Sequence, residues 1–252
     1  MSRPTCALLA VVALLGPTAT SAQTPAVAHQ TYVIVHGAWG GGWDWRRVDS
    51  LLTAHGHRVY RVTLTGLGER VHLASPAIGL ATHIADVVNT LKWEELGNVI
   101  LVGHSYGGMV ITGAADEVPE RVRQLIYIDA FLPEHGESVE RLTRGQFSSF
   151  IAENTKEGMI QAPWEPADRP VPKDVPHPLK TFTDTLVLRN ANARRVPASY
   201  ILTVEKDSTT DTFSAYAARA AARGWVVHKM EGNHTPERSA PAELVRLLEK
   251  VP

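Results

Sequence analysis

The sequence predicts an α/β fold, with a mostly parallel central sheet of about six strands and helices on both faces. Short runs rich in β-branched residues recur along the chain, and helical patterns separate them. Several runs are almost continuously apolar, as expected for strands buried on both faces of a parallel sheet. The predicted strands span residues 32–35, 58–64, 99–102, 125–128, 200–204 and 225–228.

Two of the intervening segments carry clear helical signals. Ile84, Val87, Val88 and Leu91 recur at spacings of three and four residues, which predicts an amphipathic helix. Near the end of the chain, Ser239 precedes a periodic apolar pattern and predicts the start of a last helix. Alternation of strands with such helices is typical of repeated βαβ units.

The bulk composition narrows the protein class without indicating a chemistry. The chain has 252 residues, 44% of them hydrophobic and 20% charged, which is ordinary for a soluble globular protein. The net charge of −1 comes without any basic run, so the sequence predicts neither a nucleic-acid partner nor a membrane-surface partner.

The first 22 residues have the layout of a secretory signal peptide. Arg3 supplies a positive start, residues 7–15 are apolar, and small residues precede a predicted cleavage near Ala22. Nine apolar residues are too few to span a bilayer, which needs about 20, so no membrane anchor is expected after cleavage. The sequence therefore predicts an exported protein, periplasmic or secreted. The only cysteine, Cys6, lies in this segment, so no disulfide is expected in the domain predicted for residues 23–252.

Residues 132–196 break the alternation, because they contain no convincing strand and include a Pro-rich passage at 163–178. A structureless loop of this length is unusual inside a compact domain. We expect an inserted cap of short helices above the sheet. A disordered linker is the alternative, and it is disfavoured by the apolar residues Phe147, Phe150, Ile151, Trp164 and Phe182.

The pattern with the clearest chemical meaning is Gly103-His104-Ser105-Tyr106-Gly107. It follows the predicted strand at 99–102 and precedes a helical pattern. A sharp strand-to-helix turn needs glycines around a serine that is pushed out at the carboxyl end of the sheet. The motif predicts that Ser105 is a nucleophile, against the alternative of a chance pattern with a structural serine.

A serine nucleophile needs a base and an acid that orients it, in the chain order serine, acid, histidine. His234 lies in a glycine-containing loop after the last predicted strand and is the predicted base, against the alternative of a surface histidine. His36 and His104 lie in the loops of the expected site and are predicted to line it.

The orienting acid has two main candidates. Asp207 follows the predicted strand at 200–204 and is favoured because it has the usual residue type in the usual loop. Asp129 ends the strand at 125–128, from which a carboxylate can also reach the histidine, although it could instead be structural. Asp211 and Glu205 are weaker alternatives.

A glycine-rich loop at 36–43 follows the first predicted strand. We expect the backbone N–H groups of Ala38 and Tyr106 to bind the oxyanion that forms during acyl transfer. The alternatives are a structural turn and a phosphate-binding loop, but the lysine and hydroxyl of a phosphate loop are absent. No metal-binding pattern is found, since His55 and His57 lack carboxylate neighbours, and no cofactor is expected.

With these motifs, the chain after residue 30 resembles the esterase and hydroxynitrile-lyase branch of the α/β-hydrolase superfamily, which implies an α/β-hydrolase fold. The resemblance is strong up to Pro133, weaker across the predicted cap, and returns at residues 231–234. The run at 63–70 is similar to bacterial carboxylesterases of the pyrethroid-hydrolase type. The segments that carry the resemblance are residues 32–39, 63–70, 102–109 and 128–133.

The resemblance also distinguishes ester hydrolysis from cyanohydrin cleavage. Lyases of this branch carry a threonine after the loop histidine and a lysine after the catalytic histidine. Here Gly37 and Thr235 occupy those positions, which favours an esterase. Lys206 stands where the family acid is expected and Asp207 follows it, so Asp129 also stays a candidate.

The sequence thus predicts a serine carboxylic-ester hydrolase that acts through an acyl-enzyme on a small apolar, aryl or alkyl ester. Trp39, Tyr106 and Phe131 are expected to give the site an apolar lining. The alternatives are a hydroxynitrile-lyase-like activity, lactone or amide hydrolysis by the same residues, and a non-catalytic binding protein. Nothing in the sequence predicts an oligomeric state.

Overall fold

A computed structural model of the protein describes residues 1, 29–145, 147–206, 208 and 212–251. The predicted signal peptide lies outside these residues except for Met1, and so do Cys6, Asp207 and Asp211.

The described chain forms nine strands in two sheets. Six of them build the central sheet, all in parallel, in the order β2-β1-β3-β4-β8-β9. The predicted α/β class and the predicted parallel sheet are confirmed. The strands are β1 (Thr31–Val35), β2 (Arg58–Val62), β3 (Val99–His104), β4 (Val122–Ile128), β5 (Thr155–Lys156), β6 (Met159–Ile160), β7 (His177–Pro178), β8 (Ala198–Val204) and β9 (Val226–Glu231).

Nine α-helices are found in the same residues. Leu52 in α1 and Leu248 in α9 pack on one face of the central sheet, while α2, α3 and α7 cover the other. No helix in this part of the chain combines the length and apolarity that crossing a bilayer requires. The helices are α1 (Arg46–Ala54), α2 (Leu80–Trp93), α3 (Gly107–Glu117), α4 (Val139–Leu142), α5 (Ser148–Asn154), α6 (Lys180–Thr183), α7 (Ser214–Ala222), α8 (Pro236–Ser239) and α9 (Pro241–Lys250).

The side-chain alternation of β1 shows why both faces of the sheet must be covered. Val33 and Val35 join the core under α2, α3 and α7, whereas Tyr32 and Ile34 join the core under α1 and α9. All four side chains are buried, so the strand is apolar on both faces and stable only between two helical layers.

The last helix begins later than the sequence predicts. Ser239 ends α8, and α9 begins at Pro241 with Ala240 at its N-cap. Proline is favoured in the first turn because its missing N–H has no helical acceptor there. The Ser239 hydroxyl instead donates to Asn233 Oδ1 at 2.9 Å, which ties it to the preceding loop.

Residues 132–196, here called the cap segment, contain α4, α5, α6 and a small antiparallel sheet in the order β5-β6-β7. The sequence predicts no strand here, because each strand has only two residues and shows no alternation. Glu157 and Gly158 connect β5 and β6 with φ of 52° and 75°, as in a tight hairpin turn. Ile160 and Phe182 join the core under α2 and α3, so the cap segment packs directly on the domain.

Parallel strands bring their carboxyl ends to one edge of the central sheet. Ser105 follows β3, Asp129 follows β4 and His234 lies shortly after β9, so the topology gathers residues from distant parts of the chain. This edge is where ligands bind in open α/β sheets.

Candidate active site

Ser105 occupies the turn between β3 and α3 with φ of 52°, a left-handed conformation that non-glycine residues rarely adopt. Its N–H donates to the Ile128 carbonyl at 3.2 Å, and its own carbonyl accepts from Phe131 N–H at 3.1 Å. These bonds hold the strained turn to the end of β4. The nucleophile candidate is therefore fixed at the carboxyl edge of the sheet.

Two glycines of the turn are required by close backbone packing. A Cβ on Gly107 would lie 2.7 Å from the Val35 carbonyl oxygen, and one on Gly108 would lie 2.0 Å from the Phe131 carbonyl oxygen. Side chains at these positions would push α3 away from the sheet. The glycines thus let the N-terminus of α3 reach the site, where its positive dipole end favours developing negative charge.

His234 connects Ser105 to a buried carboxylate. Its Nε2 lies 2.9 Å from Ser105 Oγ, and its Nδ1 lies 2.6 Å from Asp129 Oδ2. An ionised carboxylate can only accept, so Nδ1 carries the proton and Nε2 is left to accept from the serine hydroxyl. This is the geometry that general-base activation of a serine requires.

Asp129 is 2% exposed and is fixed through both carboxylate oxygens. Oδ2 faces His234, while Oδ1 accepts from Thr203 N–H at 3.2 Å. The Asp129 N–H donates to the Ile201 carbonyl at 2.8 Å, so β8 holds both its backbone and its side chain. Among the carboxylates that the structure describes, Asp129 is the one bonded to His234, and the favoured candidate Asp207 lies outside the described residues.

Neighbouring residues that the sequence analysis did not single out for this role fix His234 in place. His104 Nε2–H donates to the His234 carbonyl at 2.7 Å, and the Phe213 ring stacks on the His234 imidazole at 4.7 Å. On the far side, Asn233 Oδ1 accepts from Thr235 N–H at 3.1 Å. Nothing in the local sequence around Phe213 indicates this contact, because it arises only when β8 and β9 pair.

His36 and His104, which the sequence analysis expects to line the site, are buried behind it. Leu64 N–H donates to His36 Nε2 at 3.1 Å, and His36 Nδ1–H donates to the Gly37 carbonyl at 2.7 Å. Burial lowers the His36 pKa to about 4, so its imidazole is neutral near pH 7. Burial also lowers the His104 pKa well below its usual value. Both imidazoles act as neutral spacers between loops.

Ala38 and Tyr106 line the same cavity as Ser105, and each carries a backbone N–H. In residues 29–145 and the other described segments, neither N–H donates a hydrogen bond to another protein group. The Tyr106 side chain is anchored, since its hydroxyl donates to His83 Nδ1 at 3.0 Å while His83 Nε2–H donates to the Thr65 carbonyl. Two fixed, unused donors next to a nucleophile are what an oxyanion hole needs.

Trp39 connects the glycine-rich loop, which contains Ala38, with the cap segment. Its backbone has a left-handed φ of 63°. Its N–H donates to His177 Nδ1 at 3.2 Å, and its carbonyl accepts from Val175 N–H at 2.9 Å. The indole N–H donates to the Ile160 carbonyl at 3.0 Å. One residue of the first loop is thus bonded to the cap segment at three points.

The cavity above Ser105 has a volume of about 380 Å³. Trp39 and Phe131 lie in its wall, as the sequence analysis expects. The lining combines aromatic and aliphatic side chains with hydroxyls and two carboxylates. Besides those already named, the lining includes Val139, Phe147, Phe182, Phe213, Thr203, Glu205, Ser208 and Thr212. For the residues with described positions, no cluster of histidine, cysteine and carboxylate side chains suits a metal ion.

Comparison with known proteins agrees with this architecture. Residues 32–247 match the Alpha/beta hydrolase family. The chain is 54% identical over 111 residues to a carbendazim hydrolyzing esterase from Nocardioides sp. (strain SG-4G), covering 44% of this chain and 46% of that protein. It is 36% identical over 104 residues to an alpha-hydroxynitrile lyase from Arabidopsis thaliana, covering 41% of this chain and 40% of the lyase.

Each match thus spans less than half the length of the curated relative. Among solved structures, a pyrethroid hydrolase superposes with a TM-score of 0.72 at 22% identity, covering 88% of this chain and 97% of that one. At this identity the likeness shows the fold. The resemblance to the esterase and hydroxynitrile-lyase branch is confirmed by these relatives.

Proposed function

Because this chain belongs to the alpha/beta hydrolase family, we propose that it is a serine carboxylic-ester hydrolase that works through an acyl-enzyme. The observation that carries the proposal is the continuous hydrogen-bond chain from Ser105 Oγ through His234 to Asp129. A bonded nucleophile, base and carboxylate beside two unused amide donors is the machinery that acyl transfer requires.

In the proposed acylation, Ser105 Oγ attacks the ester carbonyl carbon while its proton passes to His234 Nε2. The carbonyl oxygen becomes an oxyanion and accepts from the Ala38 and Tyr106 amides. The bond between carbon and the alcohol oxygen then breaks, and His234 gives its proton to the departing alcohol. Water, activated by the same imidazole, hydrolyses the acyl-enzyme and returns the proton to Ser105.

We propose Asp129 as the residue that orients His234 and stabilises its cation. The support is the 2.6 Å contact with Nδ1 and the burial of the carboxylate. The sequence favours Asp207, which lies outside the described residues. The role of Asp207 stays a prediction that substitution of this residue can test.

The proposed substrate is a small ester with an apolar, aryl or alkyl part. A cavity of about 380 Å³ with an aromatic lining supports this size and character. The similarity to a carbendazim hydrolyzing esterase also supports ester hydrolysis. Hydrolysis of lactones or amides uses the same residues and is an alternative on the same site.

A hydroxynitrile-lyase-like activity is the second candidate, because a lyase is among the relatives. Gly37 and Thr235 replace the threonine and lysine that the resemblance implies for lyases. Without the lysine, no cation follows the proposed base to accommodate cyanide. An assay for cyanohydrin cleavage on the purified protein separates this candidate from ester hydrolysis.

We further propose that the protein is exported after cleavage near Ala22. The support is the charge and apolar layout of residues 1–22. N-terminal sequencing of the mature protein, recovered from the medium or periplasm, checks the cleavage position.

Ser105→Ala tests the proposed mechanism. We expect kcat for p-nitrophenyl acetate to fall by about four to six orders of magnitude, because only binding and the oxyanion amides remain. Ser149→Ala, on the exposed face of α5, is the matched control and should retain full activity. A phosphonate ester should label the wild type and the control but not Ser105→Ala. Near-normal turnover by Ser105→Ala would refute the nucleophile assignment.

A further inference from the structure

His177, a buried residue of the cap segment, reaches both sides of the proposed oxyanion hole. Its Nδ1 accepts from the Trp39 N–H at 3.2 Å, directly beside Ala38. Its ring also packs edge-on against the Tyr106 ring at 4.9 Å. We propose that His177 is a positioning residue that holds the Ala38 amide in place for the oxyanion, an inference that rests on the proposed ester hydrolysis.

The backbone turn at Trp39 needs support from outside its loop. Gly40 N–H donates to the Ala38 carbonyl at 2.8 Å, and Trp39 between them has φ of 63°. A hydrogen bond across three residues around a positive φ is typical of the strained form of the γ-turn. Strained backbone persists only where the surrounding structure holds it. We therefore expect this turn to relax when a bond from the cap segment is removed.

Two histidines hold the two peptide groups on either side of Ala38. The peptide group before Ala38 carries the proposed donor, and its carbonyl, on Gly37, accepts from His36 Nδ1–H at 2.7 Å. Because the N–H and C=O of a trans peptide point in opposite directions, the Ala38 N–H points away from His36. The peptide group after Ala38 carries the Trp39 N–H, which His177 binds. The direction of the Ala38 amide thus depends on one histidine from the loop itself and one from the cap segment.

The hydrogen bonds of His177 define one neutral tautomer. An amide N–H can only donate, so Nδ1 accepts from Trp39, and Nε2–H donates to Thr181 Oγ1 at 2.8 Å. The Thr181 hydroxyl in turn donates to the Pro178 carbonyl at 2.8 Å, so its oxygen is available as an acceptor. Burial lowers the pKa of His177 well below its usual value, and the imidazole therefore keeps its acceptor near pH 7. The contact with Trp39 is a directed hydrogen bond and not only a packing contact.

Two replacements of His177 separate the effect of the acceptor from that of the ring. His177→Phe keeps an aromatic ring and removes the acceptor, whereas His177→Asn removes the ring and offers its Oδ1 as an acceptor near the position of Nδ1. In each variant, kcat for p-nitrophenyl acetate is expressed per active site, counted by titration with a phosphonate ester. This correction removes the effect of any inactive molecules.

His177→Phe should lower kcat by about 10- to 100-fold, the effect expected when a catalytic group is slightly misplaced. KM should stay nearly unchanged, because an oxyanion donor binds the transition state and not the ground state. His177→Asn should have the higher kcat of the two variants, although it loses the ring.

Inhibition by 2,2,2-trifluoroacetophenone gives a readout that a purely structural role would not change. Ser105 Oγ adds to the carbonyl carbon of the ketone, its proton passes to His234 Nε2, and the carbonyl oxygen becomes an anion that needs the same amide donors. The inhibition constant should therefore rise in His177→Phe by the same factor by which kcat falls. Partial unfolding would lower the total rate and leave the inhibition constant unchanged.

His135→Phe is the matched control. His135 also lies in the cap segment, and its Nδ1 is bonded to the Leu188 backbone at 3.1 Å. Its side chain is exposed and does not line the cavity. This variant should change neither kcat nor the inhibition constant.

Thr181→Val tests the same hydrogen bonds if His177→Phe does not fold, because it removes the acceptor of Nε2–H and keeps the side-chain volume. Here kcat and the affinity for the ketone should fall together, by a smaller factor. Unchanged values in this variant would count against the positioning role.

The outcomes separate the two proposals. If His177→Phe keeps the wild-type kcat, or loses kcat without a matching rise in the inhibition constant, the positioning role is wrong while Ser105-dependent hydrolysis persists. If the phosphonate does not label Ser105 in the wild type, the proposed function itself is wrong, and the positioning role with it.

Discussion

At the end of β4, Asp129 adopts φ of 44°, a left-handed conformation that aspartate tolerates better than most residues. Bonds from its N–H to β8 and from Thr203 N–H to its carboxylate hold it there. The backbone conformation and the side-chain position therefore depend on the same neighbouring strand. A carboxylate held this way orients the imidazole without needing to take its proton.

Replacing Asp129 by asparagine tests this role at the scale of one residue. The amide can donate to Nδ1 and so favours the wrong imidazole tautomer, which should lower kcat for p-nitrophenyl acetate by about 10⁴-fold. Asp207→Asn is the matched change at the other candidate and should have a much smaller effect. A larger loss of kcat in Asp207→Asn would transfer the role to that residue.

The residue scale also shows what the sequence could predict. Ser105 and His234 could be proposed from the sequence because a glycine-flanked turn and a strand-end loop leave local patterns. The acid leaves no such pattern, since every carboxylate at the carboxyl edge of a parallel sheet is a candidate. The contacts with His234 and Thr203 single out Asp129 among the carboxylates that the structure describes.

At the scale of elements, the site depends on how closely α3 approaches the sheet. Gly108 of α3 lies against the Phe131 carbonyl, and Gly107 lies against the Val35 carbonyl. In both cases the nearest neighbour is a backbone carbonyl, which cannot move aside to accommodate an added Cβ as a flexible side chain could.

Gly108→Ala should therefore destabilise the protein, although alanine normally favours a helix over glycine by about 1 kcal/mol. A Cβ 2.0 Å from the Phe131 carbonyl oxygen forces α3 outward, and we expect a loss of about 1–3 kcal/mol in the free energy of unfolding. Urea unfolding followed by circular dichroism measures it. Gly97→Ala has no atom within 4 Å of the added Cβ and should be nearly neutral. Equal stabilities of the two variants would contradict the packing argument.

Prediction of elements succeeded where side-chain periodicity is long enough to read. The inner strands of the central sheet and helix α2 follow from runs of buried apolar residues, whereas the edge strands β2 and β9 are only partly buried. The strands of the cap segment were not predicted, because a strand of two residues cannot show alternation. The pairing of β5 with β6 depends on the Glu157–Gly158 turn. The α9 boundary was misplaced because Ser239 bonds backward to Asn233 rather than capping a helix.

At the scale of the whole molecule, one charged cluster joins three distant segments. Arg238 of α8 donates to Asp44 Oδ1 at 2.6 Å and to Asp174 Oδ1 at 3.0 Å. Asp44 lies in a short 3-10 turn directly after the glycine-rich loop, and Asp174 lies in the cap segment. Next to this cluster, the Glu237 carboxyl is 2% exposed, and its Oε2 atom has no hydrogen-bond partner among the described residues.

Burial raises the pKa of Glu237 from its ordinary 4.5 to about 8, which makes stability depend on pH. Between these values the folded protein keeps a proton that the unfolded chain releases, so rising pH lowers the free energy of unfolding. Because glutamine cannot ionise, the Tm of Glu237→Gln should fall less than the Tm of the wild type between about pH 5 and pH 9. Thermal melts at several pH values measure the difference. Glu153→Gln, exposed on α5, should follow the wild type, and parallel curves for all three proteins would contradict the prediction.

The three bonds of Trp39 to the cap segment have a mechanical consequence. A cap can open without disturbing a site only if it is attached away from the catalytic groups. Here the cap segment is bonded to Trp39, the residue next to Ala38. Moving the cap segment away from the site would displace Trp39 and, with it, the proposed oxyanion donor Ala38. We therefore expect substrates to enter with the cap segment in place, so that the size of a molecule limits its access to Ser105.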